Sequence, residues 1–137
     1  MAIVGLLLGC APGHQPPRSV AASRYPGLPV DVTPPVAPYQ DPAGNPIGRW
    51  RGGVLELTVF GSGSCPPVPI RLDPRPPDAV EVTFSTDYGL GACTTDIAPT
   101  TWVLNVPASL AGSGTLAVRT RGDGVPQIEL RLSRASS

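Results

Sequence analysis

Six short runs in this 137-residue chain alternate apolar with polar side chains, and glycine or proline punctuates the stretches between them. A period of two puts every second side chain on one face of an extended strand, whereas a helix needs a period near 3.6. The runs occupy residues 53–60, 68–72, 79–85, 102–106, 115–119 and 127–132. In the first, alternation starts at Leu55. The third is the cleanest, with Val80, Val82 and Phe84 on one side; in the fourth, Trp102, Leu104 and Val106 share a side. Pro69 lacks a backbone donor, which confines the second run to a sheet edge. Asp123-Gly124, within Thr120-Arg121-Gly122-Asp123-Gly124, signals a hairpin between the last two runs. No window has the helical period. The spacing predicts an all-β domain, a small antiparallel β-sandwich of about six or seven strands and immunoglobulin-like size.

The core available to such a domain is thin. Its large apolar residues are Trp50, Phe60, Phe84 and Trp102, with valines and leucines around them. Small domains of this kind commonly need a staple. The chain has three cysteines, Cys10, Cys65 and Cys93. A bond between Cys65 and Cys93 closes a loop of nearly thirty residues, which stabilises by about 3–4 kcal/mol in the chain-entropy model. Such a bond requires an oxidising compartment. That leaves Cys10 over, and its position accounts for it.

Residues 1–10 read Met-Ala-Ile-Val-Gly-Leu-Leu-Leu-Gly-Cys, an apolar run that ends in a small residue and a cysteine. A bilayer-spanning helix needs about 20 apolar residues, so this run is too short to cross. Leu7-Leu8-Gly9-Cys10 resembles the lipobox of bacterial lipoproteins, although Leu8 is bulkier than the residue usual at that place. In that family the cysteine becomes the first mature residue and carries acyl chains. The resemblance implies a lipidated Cys10 and a membrane as partner, since each buried methylene contributes about 0.8 kcal/mol. A positively charged segment normally precedes the apolar run. The expectation is therefore a translation start further upstream.

Between residues 11 and 48 apolar periodicity is absent, and Pro12, Pro16, Pro17, Pro26, Pro29, Pro34, Pro35, Pro38, Pro42 and Pro46 interrupt the chain. Proline removes donors and pushes its predecessor toward extended geometry, so both helix and sheet ladders are discouraged. A disordered or polyproline-II-like tether is expected, with a reach on the order of 100 Å if fully extended. The expected organisation is thus a signal remnant at 1–10, a Pro-rich tether at 11–48 and a disulfide-stapled β-domain at 49–137.

Charge narrows the partners. Ten basic residues balance ten acidic ones, and 15% of the chain is charged. Nucleic-acid binding needs a clustered surplus of positive charge, so no nucleic-acid partner is expected. All ten basic residues are arginine, which fits the codon bias of a GC-rich genome.

Around the cysteines stand Gly61-Ser62-Gly63-Ser64-Cys65-Pro66-Pro67-Val68-Pro69 and Cys93-Thr94-Thr95-Asp96-Ile97-Ala98-Pro99-Thr100-Thr101-Trp102. This pattern resembles a group of small secreted proteins and lipoproteins of actinobacteria. They carry a Gly-Ser-Ser-Ser-Cys-Pro-type turn and a Cys-Thr-x-Asp-x-Ala-Pro segment; Gly63 replaces one of the serines. The resemblance covers about residues 50–132. It supports the disulfide, the all-β fold and an envelope location, and it implies no activity.

Sites of chemistry are sparse. There is no Cys-x-x-Cys and only one histidine, His14, in the tether, so neither metal nor cofactor is expected. Ser62, Ser64 and Ser113 sit near glycines, but no Gly-x-Ser-x-Gly elbow exists and no catalytic residue is assigned. Asp73, Asp78, Asp87, Asp96 and Asp123 all fall in expected loops. Asp96 stands out because the disulfide would hold its surroundings, and an Asx-type turn accepting backbone N–H groups is its expected role. Arg121-Gly122-Asp123 spells an adhesion tripeptide but sits where turn chemistry alone explains it. Ser62, Ser64, Pro66, Pro67 and Asp96 form the candidate interaction loop. The reading that follows is a monomeric, non-enzymatic, lipid-anchored or secreted β-domain at the outer face of a bacterial membrane. It would bind an envelope protein or cell-wall polymer, or serve structurally. The alternatives are an envelope hydrolase using loop carboxylates and a loop-presenting inhibitor or adhesin.

Overall fold

In the computed structural model the described residues are 15–30, 32 and 44–134. Cys10, His14 and Tyr39 lie outside them, and so does the expected lipidation site. Eight strands pack as two four-stranded sheets: β1 (Ser23–Pro26), β2 (Ile47–Arg51), β3 (Val54–Gly61), β4 (Val68–Arg75), β5 (Ala79–Ser85), β6 (Ala98–Asn105), β7 (Thr115–Gly122) and β8 (Ile128–Ser133). The first sheet has the order β1-β6-β3-β2 and the second β4-β5-β7-β8. The all-β sandwich expected from the alternation is therefore present. Among the described residues no helix is long and apolar enough to cross a membrane.

The inner faces follow the period of two. Leu55, Leu57 and Val59 of β3 face Val80, Val82 and Phe84 of β5 in one buried cluster, with Trp102, Leu104, Leu116 and Val118. Trp50 packs against that cluster, but Phe60 does not join it. With Leu55, Leu57 and Val59 inward, parity sends Phe60 to the outer face, where Gly44 covers it. Gly48 lets β2 approach the second sheet: a Cβ there would come within 3.0 Å of Leu132 and 3.2 Å of Leu130.

Three features depart from the expectation. The first is the strand count, because β1 lies inside the stretch assigned to the tether and β2 begins before residue 49. β1 pairs with β6 from Ser23 opposite Val103 to Pro26 opposite Thr100. An edge strand needs donors on one side only, so Pro26 is tolerated there. The residues ahead of it lace the two sheets together. The Val20 N–H donates to Pro69 O on β4 at 2.9 Å, and the Ala22 N–H donates to Val103 O on β6 at 2.8 Å.

The second departure is one parallel pair, β5 with β7, in an otherwise antiparallel arrangement. The intervening β6 belongs to the other sheet, so the chain crosses the sandwich twice and returns in the same direction. Parallel neighbours require a crossover of this kind. The third is local. β4 is an edge strand as Pro69 required, but its register shifts between Pro69 and Arg71. The bulge leaves Ile70 at 37% exposure while Leu72 packs on the core.

Turn residues explain the connections. Gly52 and Gly53, at φ +53° and +92°, form the two-residue turn between paired Arg51 and Val54. Both positions need positive φ, which glycine accepts without strain. At Gly122 the need is steric as well, since φ is +108° and a Cβ would lie 2.1 Å from Phe84 O. The adhesion-like tripeptide is accordingly built into the sheet: Arg121 pairs with Glu81 at 3.3 Å, and the Asp123 N–H donates to Phe84 O at 3.1 Å.

Candidate functional site

Cys65 and Cys93 are bonded, with an S–S distance of 2.08 Å and a Cα–Cα distance of 5.5 Å. The bond ties the connection between β3 and β4 to the long connection between β5 and β6. Cys65 itself is buried in the core cluster, at 4% exposure.

Hydroxyl groups knit the two segments further. The Thr94 N–H donates to Ser64 Oγ at 2.9 Å, and the Ser64 N–H donates to Thr94 Oγ1 at 3.3 Å. Ser62 Oγ lies 2.9 Å from Thr94 Oγ1 and accepts the Cys65 N–H at 3.2 Å. Asp96 completes the network: its Oδ1 accepts the Gly63 N–H at 3.0 Å and the Thr94 hydroxyl. The Thr94 hydroxyl first, and the Gly63 N–H second, hold the Asp96 carboxyl below the ordinary carboxylate range. Glycine at position 63 follows, because a Cβ there would stand 2.6 Å from Asp96 Oδ2.

Of the candidate loop residues, Ser62, Ser64 and Asp96 thus come together. Pro66 and Pro67 do not join them at the surface. Both are buried, and Pro67 packs against Gly61 and Gly124. Pro66 O accepts the Tyr88 hydroxyl at 2.5 Å. Tyr88 is 4% exposed, and burial pushes its phenol above the ordinary value of 10.0. The prolines brace the loop from beneath instead of presenting it.

What the network does present is the segment between its anchors. Tyr88 fixes one end; Cys93, Thr94 and Asp96 fix the other. The Gly89 N–H donates to Asp87 Oδ1 at 3.1 Å, and the Asp87 N–H to Ser85 Oγ at 3.1 Å. Leu90 lies between these anchors at 102% exposure, and Ile97 is 61% exposed. The sequence reading did not single out this exposed segment. Leu90 in Tyr88-Gly89-Leu90-Gly91 is an apolar residue between glycines in a polar loop, and that was the available signal. The cleft beside the loop, lined by Arg24, Tyr25, Gly63, Pro66 and Thr100, has a volume of about 180 Å³. Small-molecule pockets usually measure about 300–1,000 Å³, so this cleft falls below that range.

Compared with known proteins, the chain matches no family model, no curated protein and no solved structure. Among the described residues no group of three or more histidine, cysteine or acidic side chains is placed to hold a metal ion.

Proposed function

We propose that this protein is an exported binding module, lipid-anchored through Cys10 at the outer face of a bacterial membrane. It engages an envelope partner through the disulfide-anchored loop around Leu90. The observation that carries this reading is Leu90 itself, fully exposed in a loop held by a disulfide and a hydrogen-bond network on either side. A loop already fixed in place loses little conformational entropy on binding, so its contact area converts into affinity with less loss. Asp96 supports binding over hydrolysis, because its Oδ1 is engaged by Gly63 and Thr94. The Cys65–Cys93 bond supports an oxidising, extracytoplasmic location. The Cys-Thr-x-Asp-x-Ala-Pro likeness to actinobacterial lipoproteins points the same way.

Two measurements test the reading. A fatty-acid probe is expected to label the full-length protein in cells and to miss Cys10→Ala; equal labelling ends the lipoprotein assignment. Crosslinking in intact cells is expected to capture a partner that Leu90→Asp, exposed and outside the core, no longer captures. Equal capture by both proteins removes the loop from the function.

A further inference from the structure

Three connections at the disulfide end share a charge as well as a place. Residues 62–67, 86–97 and 123–127 hold Asp87, Asp96 and Asp123 and no arginine or lysine. The disulfide joins the first connection to the second. The third lies against both, since a Cβ at Gly124 would stand 2.6 Å from Thr86 Cγ2 and 3.2 Å from Pro67 Cγ. All three aspartates are exposed, and none forms an ion pair among the described residues. Two arginines approach from the strands. Arg121 is paired with Glu81 at 3.3 Å, whereas Arg24 stands over the Trp102 ring at 5.4 Å and meets no carboxylate among the described residues. Three carboxylates thus face the one guanidinium of Arg24, and this end is negative in a chain that is neutral overall. All ten arginines lie among the described residues, so the rest of the chain brings no further arginine to offset it.

Apolar side chains stand among these acids. Leu90, at 102% exposure, lies between Asp87 and Asp96 in the chain, and Ile97, at 61%, follows directly. A carboxylate offers about four lone-pair positions. Asp87 accepts one bond, from the Gly89 N–H, and Asp96 accepts two, from the Gly63 N–H and the Thr94 hydroxyl. Each exposed carboxylate therefore keeps acceptor positions for a donor from outside. Those same bonds hold both side chains in place, so pairing them with a cation costs little further ordering.

We infer that the partner of the Leu90 loop is a basic protein segment, in which lysine or arginine side chains flank an apolar contact. The inference rests on the binding role proposed above for that loop and adds the chemistry of what it binds. The partner's cations meet Asp87, Asp96 and Asp123, while its apolar side chain covers Leu90 and Ile97. Complementary charge steers such a segment to this end and fixes its register. An anionic wall polymer meets the opposite field, because like charges brought together oppose association. Between a basic envelope protein and an anionic polymer, the charge selects the protein.

The test is titration of the full-length, disulfide-bonded protein with three capped peptides, Lys-Leu-Lys-Leu-Lys, Glu-Leu-Glu-Leu-Glu and Lys-Ser-Lys-Ser-Lys. Binding is followed through the amide resonances of Gly89, Leu90, Gly91 and Ile97. The lysine–leucine peptide is expected to bind about tenfold or more tighter than the other two. Raising the ionic strength from about 0.01 to about 0.15 M shortens the screening length from about 30 to about 8 Å and should weaken it about fivefold. The double variant Asp87→Asn/Asp123→Asn keeps the acceptor oxygens and turn chemistry of both positions while removing their charge. It is expected to bind about fivefold more weakly and to lose most of the salt dependence, with the core resonances of Leu55 and Val82 unmoved. Unmoved loop resonances, equal binding of the glutamate–leucine peptide, or undiminished binding by the double variant overturns the inference. If Leu90→Asp loses its captured partner in cells while the peptides show no preference for lysine, the loop stands as a binding surface and the basic partner falls. Equal capture by Leu90→Asp and the parent refutes both.

Discussion

Two side chains at the disulfide end carry opposite dependences on pH. Asp96 is held below the ordinary carboxylate range by the Thr94 hydroxyl and the Gly63 N–H. Its stabilising contribution is present above the unfolded carboxylate pKa and is lost as pH falls through the lower folded value. Asp96→Ala is therefore expected to be less stable than the parent at neutral pH and to converge with it in acid. Denaturant midpoints of the two proteins across the acid range check this, and a constant difference would contradict it. Tyr88 runs the other way, because burial raises its phenol pKa. Its contribution is complete below the unfolded tyrosine pKa and is lost as pH rises through the higher folded value. Tyr88→Phe removes the hydrogen bond to Pro66 O, at a cost of about 1 kcal/mol near neutrality. The same change should flatten the alkaline loss of stability, measurable as a smaller drop in unfolding midpoint above pH 10.0, the ordinary tyrosine value.

At the scale of elements, the disulfide joins the β3–β4 connection to the β5–β6 connection across 28 residues of sequence. In the chain-entropy model its loss costs about 3–4 kcal/mol. The double variant Cys65→Ser/Cys93→Ser should show that loss in denaturant unfolding, together with faster amide exchange at Thr94 and Gly63. If exchange there stays slow, the hydroxyl network holds the loop without the bond. The edge elements show how alternation was overruled. Val68, Ile70 and Leu72 alternate in sequence, yet the bulge at Pro69 leaves Ile70 exposed while Val68 and Leu72 point to the core. A missing proline donor can be read from the residue type. Where the partner strand absorbs the extra residue cannot.

For the whole molecule, the lacing by Val20 and Ala22 makes residues 20–26 part of the sandwich. Removing residues 1–26 deletes β1, uncovers the edge of β6 and opens the side where Pro16, Pro17 and Ala21 lie near Val68 and Trp102. The truncated protein is expected to lose at least about 2 kcal/mol of stability from lost hydrogen bonds, and to self-associate through the bared edge. Denaturant unfolding and light scattering measure the two effects. Unchanged stability on removal of 1–26 would make the lacing incidental. At the other end, the buried Arg134 donates to Leu110 O and Ser113 O, each at 2.7 Å, and to Pro77 O at 3.0 Å. Both ends of the described chain are thus drawn into contact with the sandwich.

The six alternating runs, the edge position of the Pro69 strand, the hairpin at Asp123-Gly124 and the union of Cys65 with Cys93 were all legible in the linear chain. Each depends on local chemistry: a period, a missing donor, a turn residue, the pairing of two thiols once Cys10 is set aside. What needed the folded molecule was everything set by long-range register. β1 has four residues, one of them proline, and no alternation marks it; it is a strand because β6 offers a free edge. Leu90 looks like any loop leucine until Tyr88, Cys93 and Asp96 fix the chain on either side of it. Asp87, Asp96 and Asp123 are divided between two connections, and only the folding back of the strands gathers them at one end. Local signals are carried by neighbours in sequence, whereas a site is carried by neighbours in space, and strand pairing alone decides who those are.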